Sequence, residues 1–106
     1  MKAVGIKVAE VPEIIDIPNE LEALQEYVGG YIEVVQLADN ALLIVNEEGK
    51  LMNLPLNFYL SRNRRVIDTI HGNVLIVGRD GEEFCDLTEE QLEFYAEMMD
   101  EQLECE

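Results

Sequence analysis

The chain has no tryptophan, one histidine, two cysteines, and only seven Lys or Arg against 23 Asp or Glu. Each shortage removes a class of function. His71 stands alone, and Cys85 and Cys105 are too far apart for a zinc-ligand pair, so no metal site is expected. A formal net charge of -16 argues against direct binding to nucleic acid. The longest apolar run, Ala41 to Val45, is strand-sized and far below the ~18 residues of a membrane span. The early Lys2 is followed by no apolar stretch, so no signal peptide is expected. The two cysteines then read as free thiols of a reducing compartment, and the expected location is cytoplasmic. There is no GxGxxG and no P-loop, and Ser61, Thr69 and Thr88 lie in no nucleophile motif. The expectation is a protein without catalytic residues or a cofactor.

What the chain does have is aliphatic bulk and negative charge. A hydrophobic fraction of 48% in 106 residues supplies one modest core and one domain. The charge is uneven. Glu82 to Glu106 holds eleven acids and no Lys or Arg, whereas residues 51–81 hold four arginines and two acids.

Local patterns sketch the elements. Residues 2–8 read as a strand, and Glu13 to Ile17 as a second one at an edge. Asn19 is placed to cap a helix carrying Leu21, Leu24, Tyr27 and Val28 at helical spacing, with Gly29-Gly30 closing it. Tyr31 to Leu37 and Ala41 to Val45 form a hairpin with a central second strand. In Asn46 to Lys50, a turn is expected to use Gly49 at positive φ. Residues 51–70 read as a loop around a short helix. Asn73 to Val77 and Glu82 to Leu87 form a second hairpin, and Thr88 with Gln91 caps a terminal helix over 88–105. The order β-β-α-β-β-(α)-β-β-α implies an α+β domain. Its sheet is mostly antiparallel with about five or six strands, and its helices pack on one face or end.

On the terminal helix Leu92, Tyr95, Ala96, Met99 and Leu103 fall on one face, the expected core stripe. Glu93, Glu97, Asp100, Glu101 and Glu104 form an opposing acidic stripe, a candidate surface for a basic protein such as a DNA-binding one. Phe94, Met98 and Cys105 occupy a third sector, with Phe94 and Met98 as a candidate contact between copies. The acidic stripe also reads as an ordinary solvated face. Against that, like charges four apart cost about 0.2–0.5 kcal/mol each and oppose the helix dipole at its last turn. The alternative site is cationic: Arg62, Arg64, Arg65 and His71 could hold an anionic small molecule such as a nucleotide. The same arginines could instead be neutralised internally by nearby carboxylates.

Several segments carry a family resemblance. They are Leu21-Glu22-Ala23-Leu24-Gln25, Val28-Gly29-Gly30-Tyr31-Ile32-Glu33, Asn46-Glu47-Glu48-Gly49-Lys50, Leu54-Pro55-Leu56-Asn57, Gly72 to Gly78, and Leu87-Thr88-Glu89-Glu90-Gln91. Together they resemble an uncharacterised family of small bacterial and phage proteins, the domain of unknown function numbered 3846. The resemblance implies an accessory product of a phage or mobile element, with no catalytic residues to carry over. In that setting, blunting of host defence by an acidic decoy or by a nucleotide sponge becomes the expectation.

Overall fold

The computed structural model describes residues 1–97 and 102–106. Its main sheet has the order β2-β1-β7-β4-β3, with β8 paired to β7. The strands are β1 (Lys2–Ile6), β2 (Glu13–Asp16), β3 (Ile32–Ala38), β4 (Ala41–Asn46), β7 (Val74–Asp80) and β8 (Glu83–Cys85). Every pairing in this sheet is antiparallel. A smaller sheet has the order β6-β5-β9, from β5 (Leu56–Arg62), β6 (Arg65–His71) and β9 (Gln102–Glu104). The helices are α1 (Leu21–Val28) and α2 (Glu89–Ala96). The protein is therefore α+β on a mostly antiparallel sheet, as its patterning implies.

Period-two alternation divides the core into two layers. Val4, Leu43, Val45, Val74 and Ile76 face the small sheet and α2, where Phe58, Leu60, Ile70, Leu92 and Tyr95 meet them. Ala3, Leu42, Ile44, Leu75 and Val77 face α1 through Leu24 and Val28. Burial on both faces is why β4 and β7 lack polar alternation. Each such Leu, Ile or Val contributes about 1.5–3 kcal/mol relative to exposure. It also requires cover on both sides, so the two helices lie on opposite faces and not on one.

Local signals hold at most element ends. Gly29 closes α1 at φ 84, and Thr88 with Gln91 forms a complete capping box on α2. Asn19, however, caps nothing: α1 starts from Glu20 without a side-chain cap, and Asn19 Nδ2 donates to the Phe84 carbonyl at 3.0 Å. Gly49 has no positive φ. It is glycine because a Cβ there would lie 2.9 Å from the His71 carbonyl.

Two larger expectations are corrected. Residues 56–71 form the β5–β6 hairpin, with no short helix between them. Phe58, Leu60 and Ile70 cover the open face of the main sheet, a demand set by distant strands. The terminal helix ends at Ala96, and Gln102–Glu104 is a strand parallel to β5. The α2 C-terminus has no basic residue in its last turn. Residues 102–104 instead complete the small sheet, and Leu103 and Cys105 become buried. Cys105 is thus a core residue, not part of an outward sector.

Candidate functional site

Three regions hold the chemistry. The first is an acidic end built around Asn40, in the β3–β4 turn. Gln91 Nε2 donates to the Asn40 carbonyl at 3.3 Å and to its Oδ1 at 3.0 Å. The Arg79 amide donates to the same carbonyl at 3.2 Å. One turn thereby holds the start of α2 beside the end of β7. Asp39, Asp80, Glu90 and Glu93 are all exposed there, while Glu89 lies 3.8 Å from Lys2 Nζ.

The expected acidic stripe is only partly assembled. Glu93 and Glu97 are exposed on or just after α2. Asp100 and Glu101 lie outside the described residues. Glu104 belongs to β9, where it is engaged with β5 and does not continue a helical stripe. Phe94 is 71% exposed with its ring edge-on to Tyr95 at 5.1 Å, and Met98 lies outside the described residues.

The second region is the basic tip of the β5–β6 hairpin. Arg62 pairs across the strands with Arg65, and Asn63 and Arg64 form the turn at φ 52 and 64. Among the described residues no arginine makes an ion pair. The turn nevertheless holds an internal anion. Glu104 Oε2 accepts from Ser61 Oγ at 2.6 Å, and Oε1 accepts from the Arg64 amide at 3.2 Å. The Ser61 hydrogen bond, followed by the hairpin amides, lowers the Glu104 carboxyl below its ordinary value.

His71 does not join the arginines. It ends β6, about 20 Å along the strand from Arg65. Its Nδ1 lies 3.0 Å from the Leu54 carbonyl and its Nε2 3.0 Å from Thr69 Oγ1. A carbonyl can only accept, so Nδ1 carries a proton, and a neutral ring accepts from the threonine. The four-residue anion site expected from sequence is therefore split between two ends of one strand.

The third region has no counterpart in the sequence expectations. A groove of about 350 Å³ lies between β3–β4, the loop after β4, and β6. Val35, Val45 and Ile70 form its apolar walls, and Glu33, Glu47 and Asp68 add carboxylates. Lys50 Nζ donates to Asp68 Oδ1. Partial burial pushes the Asp68 carboxyl up, but the Lys50 hydrogen bond, the Thr69 amide and neighbouring charge bring it below its ordinary value. Reading β6 as a loop hid this groove, since one of its walls is that strand.

Asn46 shapes the loop. Buried, it donates to the Val28 carbonyl at 3.1 Å, and its Oδ1 accepts from the Glu48 amide at 2.8 Å. Cys85 and Cys105 are free thiols. Among the described residues no three His, Cys, Asp or Glu are grouped to hold a metal, and no helix is long and apolar enough to cross a membrane.

The geometry defines a small α+β module that presents charged surfaces around a closed core. A family model described as "Domain of unknown function (DUF3846)" matches residues 1–100, and the chain belongs to that family. No curated protein and no solved structure matches the chain.

Proposed function

We propose that this is a non-enzymatic acidic binding protein of a phage or mobile element, acting in the cytoplasm on a basic surface of a host protein. The observation that carries the reading is the junction at Asn40, which holds the acidic start of α2 beside Asp39 of the β3–β4 turn and the end of β7 at Asp80. A helix alone spaces acids four apart by about 6 Å, too sparsely for the roughly 3.4 Å phosphate spacing of a DNA strand. Asp39 and Asp80 add charge beside that helix, and the net charge of -16 favours a basic partner.

The test replaces Glu90, Glu93 and Glu97 together with lysine, none of whose side chains makes a described contact. Basic proteins captured from bacterial lysate at low salt should be lost with the variant and lost at high salt, because screening weakens exposed charge contacts. Capture that survives the triple reversal with the fold intact rejects the acidic end.

A second reading follows from the arginine tip. Arg62 and Arg65, exposed and outside any described ion pair, would hold an anionic small molecule of nucleotide type. A nucleotide-induced rise in melting temperature, lost on Arg62→Ala with Arg65→Ala, supports it. No rise across a broad nucleotide panel rejects it.

A further inference from the structure

β3 borders the groove and is an edge strand of the main sheet, with β4 as its neighbour. The Glu47 amide donates to the Tyr31 carbonyl, which sets the parity of the ladder. Along the β3–β4 register, Glu33 with Val45 and Val35 with Leu43 are the hydrogen-bonded pairs. The backbone N–H and C=O groups of Ile32, Val34 and Gln36 therefore point away from β4. Among the described residues nothing pairs with them. Beyond this stretch the edge closes, because the Glu106 amide donates to the Leu37 carbonyl at 2.9 Å. The open edge is thus short and borders a groove.

Open edges are templates for another strand, and proteins commonly blunt them with lysine, proline or a covering element. Between Ile32 and Gln36 there is neither lysine nor proline, and Val34 is 44% exposed. Residues of a strand added here would alternate between the groove and the α1 face. The groove side meets Glu33 and Glu47, neither of which has a described ion pair, above the walls of Val35, Val45 and Ile70. A long cationic side chain suits that combination, with its methylene stem along the apolar wall and its head at the carboxylates. The other side meets Ile32 and Val34, which suit a small apolar residue.

We infer that the β3 edge and its groove dock an extended segment of a basic partner, with cationic and apolar residues in alternation. The segment adds a strand through Ile32, Val34 and Gln36 and places its cations beside Glu33 and Glu47. A second copy of this chain is a poorer occupant, since two molecules of charge -16 repel. The site is separate from the acidic end, and the inference does not depend on it.

The probe is a short capped peptide alternating arginine and valine, titrated into the intact chain at low salt and followed by amide shifts and hydrogen exchange. Binding should slow exchange at Ile32, Val34 and Gln36. Val34→Pro removes an outward N–H that has no partner among the described residues, and should weaken binding about tenfold. Glu33→Lys, which leaves the backbone untouched, should weaken it by a similar factor and keeps the test valid should the proline variant misfold. The Glu90, Glu93 and Glu97 reversal should leave the slowed exchange at Ile32, Val34 and Gln36 in place. A glutamate–valine peptide should not bind. The inference is overturned by equal affinity in Val34→Pro and Glu33→Lys, by shifts confined to α2, or by self-association through β3 without peptide binding.

Discussion

Ser61 Oγ donates a 2.6 Å hydrogen bond to Glu104 Oε2, tying the last strand to the hairpin whose tip carries the arginines. Ser61 is fully buried, and its carbonyl accepts from the Cys105 amide at 2.7 Å. The sign of the pH dependence follows from the lowered Glu104 carboxyl. A carboxylate depressed in the folded state contributes stability above its unfolded value and loses it as pH falls through the folded one. Acidification below the ordinary carboxylate range should therefore loosen β9. After correction for intrinsic chemistry, Cys105 amide exchange should accelerate in acid. Glu104→Gln should abolish that pH dependence, and Glu104→Ala should raise exchange at every pH. An amide indifferent to both substitutions would show that β9 is held by its apolar burial alone.

Asn46 presents a different kind of dependence. Its side-chain amide satisfies the last carbonyl of α1 and the Glu48 amide in the loop beside the groove. Asn46→Ala leaves the Val28 carbonyl and the Glu48 amide without their partners, a cost of about 1–3 kcal/mol. Urea denaturation should show that loss at unchanged m-value. A variant as stable as the parent would mean that water replaces both bonds.

Gly5 and Tyr27 test the seat of α1 on the sheet. A Cβ at Gly5 would lie 2.1 Å from Tyr27 Oη and 2.8 Å from its Cζ. Gly5→Ala should cost about 1–3 kcal/mol through overpacking, with Tyr27→Phe restoring part of it. Burial first, then the Glu13 carboxylate, pushes the Tyr27 phenol up to about 12. Its contribution is present below its ordinary value of about 10 and is lost as pH rises through the folded one. Absorbance of the phenolate against pH, compared with Tyr27→Phe, measures this directly. Titration of Tyr27 at its ordinary value would contradict the packing described.

Much of the architecture is legible in the sequence. β-Branched residues mark β1, alternation marks β3, and a short apolar run marks β7. The unbroken apolar run Ala41–Val45 marked β4 as central, and Thr88 with Gln91 marked the start of α2. These signals are local because they arise from backbone sterics, capping and two-residue periodicity, all written within a few neighbouring positions. The clustering of Arg62, Arg64 and Arg65 and the preponderance of acids are equally plain.

Tertiary contacts decided the rest. Residues 56–71 pair as strands because the main sheet needs cover on its second face, a requirement held by β1, β4 and β7 and not by the hairpin's own composition. Residues 102–104 follow a helical pattern yet form a strand, since pairing with β5 buries Leu103 and Cys105. Glu104 moved from a presumed solvent stripe to an internal tie, and His71 parted from the arginines across the length of β6. The groove beside β3 exists only once β6 and the loop after β4 are brought together. Side-chain chemistry was visible in the chain, but proximity between distant segments is a property of the packed fold.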